Sequence, residues 1–179
     1  KIKNLIANVH DDVTQGYFGC GLVYHGKLEG MRVLDLGCGS GRDVFVLSQL
    51  VGPDGLVVGV DMTDEQLEVG REHINWHTER FGFPKPNVVF KKGYIEELGM
   101  LNFPENSFDI IVSNCVINLS PDKQAVFDGA FKLLSEGGEM YFSDVYSDRR
   151  VPESLVQNSV LYNECASGAL YRGDFLTLA

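Results

Sequence analysis

The chain is poor in basic residues, and it has no long apolar run. Its 179 residues include 15 Lys and Arg against 25 Asp and Glu, which gives a formal net charge of −10. Proteins that bind nucleic acids or anionic membranes usually carry basic patches, so both partners are disfavoured. No apolar run is long enough to span a bilayer, and no signal peptide is recognisable. We therefore expect a cytoplasmic protein with no nucleic-acid or membrane partner.

Cysteine is also scarce. The four cysteines are widely separated and form no C-x-x-C pair, which argues against both a secreted disulfide framework and a zinc ribbon. A hydrophobic fraction of 44% in a chain of this length suits one globular domain. We expect a single domain over residues 1–179, with an amphipathic N-terminal helix over 1–15. Because the chain starts with Lys1 and ends in an apolar segment, we expect it to be truncated at both ends.

Short apolar strands alternate with helical segments along the chain. The pattern predicts strands at 33–36, 56–61, 88–90, 108–114 and 139–143. Such alternation is typical of an α/β fold with a doubly wound parallel sheet, whose ligands lie beyond the carboxyl ends of the strands. A helix is predicted from about residue 63 to 80, and its His73 and His77, one turn apart, are expected on a solvated face.

The first predicted strand leads into a glycine-rich turn. Gly37, Gly39 and Gly41 form a G-x-G-x-G pattern, with Asp35 two residues before it. Glycines allow a ligand to lie against the backbone, and the helix that follows directs its positive end towards that ligand. A dinucleotide site would read G-x-G-x-x-G. The spacing instead resembles class I S-adenosylmethionine methyltransferases, although an ordinary strand–turn–helix junction also fits.

Polar residues follow the next strands. Asp61 could accept hydrogen bonds from ribose hydroxyls, or it could be a solvated turn residue. Ile95 could cover an adenine face and Glu96 accept from its amine, or the pair could begin an exposed helix. Asn114 would project into the same cleft, although Asn is also a common strand terminator.

The residues after Asn114 are unusual for a methyltransferase acting on nucleic-acid amines. Two prolines and an aromatic residue are absent there, as is a His, Glu or Lys base. Cys115 stands where the acceptor would approach. Cys115 and Cys165 also fit ordinary small core residues, whereas Cys20, between two glycines, fits an exposed loop better.

Several stretches together resemble the arsenic(III) S-adenosylmethionine methyltransferases over nearly the whole chain. Ser-Asn-Cys-Val-Ile-Asn-Leu at 113–119 is the most discriminating, because the fold requires no cysteine there. The others are 17–23, 34–43, 60–63, 93–96, 141–146 and 164–171.

The resemblance implies the roles of individual residues. Three cysteine thiolates would bind As(III) and so carry catalysis: Cys20, Cys115 and Cys165. The implied S-adenosylmethionine contacts are Tyr17, Phe18, Asp35, Gly37, Gly39, Asp61, Met62, Gln66, Ile95, Glu96, Asn114, Val116 and Leu119. Phe18 replaces a tyrosine usual in the family, so it is predicted to stack without donating a hydrogen bond. Cys38 is predicted to pack under the cofactor. A further upstream cysteine and a smaller C-terminal domain of the family are absent from these residues.

The implied activity is methyl transfer from S-adenosylmethionine to arsenite or its thiol conjugates, a detoxification reaction that yields methylated arsenicals and S-adenosylhomocysteine. Glutathione or thioredoxin would be the reductant. The arsenic lone pair would be the nucleophile, which explains why no side-chain base is needed. Two alternatives remain: a methyltransferase of a small organic acceptor such as a sterol or quinone, and an arsenic-sequestering or sensing protein without turnover.

Overall fold

A five-stranded sheet forms the centre of the protein. The computed structural model describes residues 2–17, 19–21, 24, 26–156, 160 and 168–178. The strands lie in the order β3-β2-β1-β4-β5, and all neighbouring strands are parallel. This confirms the α/β prediction. The strands are β1 (Arg32–Leu36), β2 (Leu56–Asp61), β3 (Val88–Lys92), β4 (Phe108–Asn114) and β5 (Leu134–Ser143).

Helices cover both faces of this sheet. They are α1 (Ile2–Ile6), α2 (Asp11–Gln15), α3 (Arg42–Val51), α4 (Asp64–Glu72), α5 (Ile74–Phe81), α6 (Lys123–Leu133), α7 (Glu153–Val156) and α8 (Arg172–Leu178), with 3₁₀ helices at Ile95–Leu101 and Ile117–Leu119. A short strand, Tyr146–Ser147, pairs with Leu170–Tyr171. Within the described residues, none of the helices is both long and apolar enough to cross a membrane.

The central strands are apolar on both sides because each face carries its own core. Successive strand residues point to opposite faces, so Val33 of β1 packs with α3 residues such as Phe45. Its neighbour Leu34 packs on the other side with Val126 of α6. This double burial explains why the strands read as continuous hydrophobic runs. The sequence order reverses between β1 and β4, where the carboxyl ends of neighbouring strands open a cleft.

The prediction of a single helix over residues 1–15 is wrong, because the segment forms two short helices, α1 and α2. His10 lies between them with an extended backbone, and its Nδ1 accepts a hydrogen bond from the backbone N–H of Asp12. This cap begins α2, and Val9 and Val13 on either side of it are buried in the core.

The prediction that His73 and His77 lie on a solvated face is also wrong. The predicted helix breaks at His73 into α4 and α5, and His77 is only 1% exposed. Its ring stacks on Phe45, with centroids 3.6 Å apart. Nδ1 lies 2.7 Å from the carbonyl oxygen of His73, and Nε2 accepts from the backbone N–H of His10 at 3.1 Å. Because burial disfavours the charged imidazole, the pKa of His77 falls to about 4.

We expect His77 to make the fold sensitive to acid. Its pKa is about 4 in the fold and about 6.5 in an unfolded chain. The neutral His77 therefore makes its full contribution to the free energy of unfolding above pH 6.5, and this contribution declines as the pH falls towards 4. By linkage, the loss at pH 5 is about 1–2 kcal/mol. Urea unfolding at pH 7.5 and pH 5 should show this loss in the wild type and not in His77→Phe, which keeps the stacked ring.

The comparison with His77→Phe is needed because other groups act in the opposite direction. Burial raises the pKa values of Asp35 and Asp144, so both favour folding as the pH falls. At pH 7.5 the variant should itself be less stable by about 1–3 kcal/mol, because the His10 N–H loses its partner. An equal pH-dependent loss in both proteins would show that His77 is not the sensitive group.

Candidate functional site

Two adjoining cavities, of about 210 and 400 Å³, lie at the carboxyl ends of β1, β2 and β4. They lie where a doubly wound sheet is expected to bind its ligand. Five residues line both cavities and so join them into one cleft: Gly37, Asp61, Thr63, Val116 and Leu119.

The glycine turn after β1 forms the floor of this cleft. Gly37 has a φ of +72°, and a Cβ there would lie 2.5 Å from Val116 Cγ2. Gly39 also has a positive φ, +54°, but a Cβ there would meet only Gln66 Oε1, at 3.9 Å. Since Gly39 lines the first cavity, that Cβ would occupy space open to a ligand. Gly37 therefore allows the turn to pack closely against Val116. Gly39 leaves open the part of the first cavity that lies against the turn, which we call the cradle.

Asp61 fixes the glycine turn to the end of β2. One carboxylate oxygen accepts from the backbone N–H of Gly39 at 2.8 Å, and the other accepts from that of Thr63 at 2.9 Å. Each oxygen has a second lone pair. Asp61 can therefore hold the turn and still accept hydrogen bonds from a ligand in the cleft.

The cleft has a marked acidic character. Asp35 is buried at the end of β1, and burial together with Asp43 and Asp61 raises its pKa well above the ordinary range. Arg42 offsets part of this charge, with its guanidinium 2.7 Å from Asp43 Oδ1 and 3.1 Å from the centre of the Tyr17 ring. Three acids around one cavity favour a ligand that carries positive charge.

Asn114 connects the end of β4 to the loop before β1. Its Oδ1 accepts from the backbone N–H of Cys20 at 3.0 Å, and its Nδ2 donates to Tyr17 Oη at 2.6 Å and to Gly21 O at 2.8 Å. Asp43 Oδ2 lies 3.2 Å from the same nitrogen. Asn114 thus positions the Cys20 loop over the cleft, a role that the sequence pattern did not indicate.

Cys20 and Cys115 come together at the mouth of the cleft. A disulfide joins them across 95 residues of sequence, with Cα atoms 6.6 Å apart. Cys115 follows β4 with a φ of +59°, and its backbone N–H donates to Ser143 O at 2.7 Å. Two of the three proposed arsenic ligands therefore meet. The third, Cys165, lies outside the described residues, as does Phe18.

Cys38 differs from this pair. Its thiol packs beneath the glycine turn, since a Cβ on Gly59 of β2 would lie only 2.7 Å from Cys38 Sγ. Burial raises the pKa of the Cys38 thiol well above its ordinary value, which makes the reactive thiolate rare. A packing role for Cys38 agrees with this geometry.

The structure gathers every described residue of the predicted cofactor set around the cleft. Ile95 and Glu96 line the second cavity beside Met62, and Ser120 Oγ donates to Glu96 Oε2 at 3.2 Å. Lining residues of the predicted set are Tyr17, Asp35, Gly37, Gly39, Asp61, Met62, Gln66, Ile95, Glu96, Asn114, Val116 and Leu119. The sequence pattern did not identify Arg42 and Asp43 as residues of the cleft. The position of Asp43 in the first helical turn after the glycine loop could have indicated it.

Known proteins match nearly the entire chain. Residues 27–179 match a family described as "Methyltransferase domain". The chain is 58% identical over 178 residues to an arsenite methyltransferase of Aquipseudomonas alcaligenes, covering 99% of this chain and 51% of that relative. It is 51% identical to the Mus musculus arsenite methyltransferase, with 99% and 47% covered. The chain thus spans about half the length of these relatives.

One solved structure agrees closely in both fold and sequence. The arsenic(III) S-adenosylmethionine methyltransferase of Chlamydomonas reinhardtii superposes with a TM-score of 0.94 at 48% identity, covering 99% of this chain and 60% of that chain. These matches confirm the resemblance drawn from the motifs.

Proposed function

Because this chain belongs to the methyltransferase domain family, we propose that it transfers a methyl group from S-adenosylmethionine to trivalent arsenic held by cysteine thiolates. The observation that carries the proposal is the meeting of Cys20 and Cys115 beside the glycine-floored cleft. The arsenite methyltransferases to which the chain is similar support the choice of acceptor.

The residues of the cleft fit S-adenosylmethionine. The cradle left by Gly39 provides room for the ligand, and Asp61 offers free lone pairs to ribose hydroxyls. Ile95 and Glu96 line the part of the cleft suited to an adenine ring. Asp35, Asp43 and Asp61 line the cleft, and the ammonium and sulfonium groups of the cofactor would offset the neighbouring negative charge that helps to raise the pKa of Asp35. When bound, the cofactor supplies an electrophilic methyl group and leaves as S-adenosylhomocysteine.

Cysteine sulfur suits the proposed substrate. Trivalent arsenic is soft, and thiolates are its preferred donors. With Cys20, Cys115 and Cys165 as ligands, arsenic would form a trigonal pyramid whose lone pair is free to attack a methyl carbon. The described pair would supply two of those ligands beside the cleft, where Asn114 accepts a hydrogen bond from the Cys20 backbone N–H. Fixing the acceptor in this way supplies proximity and alignment.

The Cys20–Cys115 disulfide also fits the oxidation and reduction that methylation of arsenic requires. When the arsenic lone pair forms the new As–C bond, arsenic becomes formally pentavalent. Two thiolates can return it to the trivalent state: their As–S bonds break, one electron pair joins the two sulfurs as a disulfide such as the one between Cys20 and Cys115, and the other pair returns to arsenic as its lone pair. An external thiolate would then take the vacated position on arsenic. An external thiol must then reduce that disulfide by exchange. Glutathione or thioredoxin would supply the electrons, which favours the reducing cytoplasm as the location.

Product analysis tests the proposal. The reduced chain is incubated with arsenite, S-adenosylmethionine and glutathione, and arsenic species are separated and measured by mass spectrometry alongside S-adenosylhomocysteine. We expect both methylated arsenic and S-adenosylhomocysteine, and neither without the chain. Cofactor binding without arsenite binding would favour a small organic acceptor such as a sterol or quinone. Arsenite binding without cofactor binding would indicate a sequestering or sensing protein.

A further inference from the structure

Three potential metal ligands meet away from the cleft, where the N-terminal segment packs on α4 and α5. Asp12 Oδ2 lies 3.6 Å from His10 Nδ1 and 3.4 Å from His73 Nε2. One donor atom from each residue falls within 4.8 Å of the other two. His10 and Asp12 belong to the segment before the cysteine loop, and His73 lies between α4 and α5. The cluster therefore joins two distant parts of the chain.

The distances suit a tetrahedral ion. Zinc binds imidazole nitrogen and carboxylate oxygen at about 2.0–2.2 Å, so neighbouring ligands of a tetrahedral site lie about 3.4 Å apart. The two distances to Asp12 are already close to that value. Two imidazoles and one carboxylate also form a donor set that zinc and nickel accept.

The rings are held in suitable orientations. His73 Nδ1 lies 2.8 Å from the carbonyl oxygen of Val69, and only a protonated Nδ1 can donate to it. That bond leaves the lone pair of Nε2 directed towards Asp12, the arrangement usual for histidine ligands. The backbone N–H of His10 is held by the buried His77, and the His10 and His73 rings are 4.2 Å apart.

An ion can reach the cluster from solvent. The Asp12 side chain is 60% exposed, whereas the two imidazoles are more buried. His10 Nδ1 also accepts the capping N–H of Asp12 at 3.2 Å, so an ion must compete with that bond. His10 is therefore expected to be the weakest of the three ligands.

We propose that His10, Asp12 and His73 bind a divalent transition-metal ion of the zinc or nickel class. The ion would tie α2 to the α4–α5 pair and so steady the segment that leads into Tyr17 and Cys20. Without an ion, the same atoms would form only a histidine–aspartate ion-pair network.

Trp76, the chain's single tryptophan, provides a local reporter. Its ring contacts that of His10, with centroids 4.9 Å apart, so a bound Ni²⁺ should quench its fluorescence. Titrations on the oxidised chain keep the disulfide-bonded Cys20 and Cys115 from acting as ligands. The wild type is compared with Asp12→Asn and His73→Gln. The matched control is Asp11→Asn, which alters the preceding carboxylate, outside the cluster.

We expect saturable quenching in the wild type and Asp11→Asn, with at least tenfold weaker binding in Asp12→Asn and His73→Gln. Zn²⁺ should raise the melting temperature of the first two proteins and not of Asp12→Asn, since an ion bound only to the folded state stabilises it. Circular dichroism checks that each variant is folded, and Asp12→Asn decides the result if His73→Gln is not. Absent quenching in the wild type, or equal affinity in Asp11→Asn and Asp12→Asn, would overturn the proposal.

Discussion

Changing Cys115 to serine is expected to reduce arsenic methylation by about 100-fold or more under reducing conditions, with the dissociation constant for S-adenosylmethionine nearly unchanged. Serine replaces a soft sulfur with a hard oxygen, which is a poor ligand for trivalent arsenic. The two side chains have nearly the same shape, and the backbone bond from residue 115 to Ser143 O does not involve the side chain. The substitution should therefore weaken arsenite binding and leave S-adenosylmethionine binding in the cleft unchanged.

Cys38→Ser is the matched control for this substitution. It makes the same chemical change in the only described cysteine outside the disulfide, and its sulfur packs under the turn beside Gly59. We expect Cys38→Ser to keep most of its methylation activity. Activity is measured as methylated arsenic per unit time, and arsenite and cofactor affinities are measured separately by titration calorimetry.

The possible outcomes separate the competing functions. If Cys115→Ser methylates arsenic at the wild-type rate, Cys115 is not a ligand and the proposed acceptor site is wrong. If the variant loses cofactor affinity as strongly as arsenite affinity, the substitution has disturbed the cleft, since Cys115 and Val116 both line it. Cys38 also lines the cleft, so its variant is interpreted only with its cofactor affinity. If Cys38→Ser is equally inactive while it still binds S-adenosylmethionine, the effect reflects general thiol loss and does not identify the site.

Much of the fold could be predicted because its signals are local. Strands buried on both faces appear as apolar runs, and Gly37 and Gly39 mark the turn after β1. The residues of the predicted cofactor set could be grouped at one place because the carboxyl ends of parallel strands share one edge. Asp61 ends β2, Asn114 ends β4 and Ile95 comes shortly after β3, and all three line the same cleft.

The features that were missed depend on contacts between distant segments. His77 has the spacing of a surface residue, but stacking on Phe45 and the bond from His10 bury it. A polar residue with both of its nitrogens satisfied can lie in a core, and no local pattern reveals those partners. Asn114 itself was predicted, but its role in positioning the Cys20 loop was missed, because its hydrogen bonds to Tyr17 and Cys20 span more than 90 residues.

Changing Gly39 to alanine is expected to weaken S-adenosylmethionine binding by about 10- to 100-fold, equivalent to about 1.4–2.8 kcal/mol. A Cβ at this position meets only Gln66 Oε1, at 3.9 Å, and otherwise stands in the cavity. The backbone N–H of Gly39 still donates to Asp61. The substitution therefore fills the cradle without a collision inside the protein. Titration calorimetry measures the affinity directly.

The substitution also forces alanine to adopt a φ of +54°, which costs about 1–2 kcal/mol in any left-handed position. Gly82→Ala separates this strain from the loss of ligand space. Gly82 has a φ of +71° at the end of α5, and a Cβ there would meet no heavy atom of the described residues within 4 Å. Both variants should lose similar stability in urea unfolding, but only Gly39→Ala should lose cofactor affinity. Wild-type affinity in Gly39→Ala would show that the cofactor does not lie against this turn, and the assignment of the cleft would then be wrong.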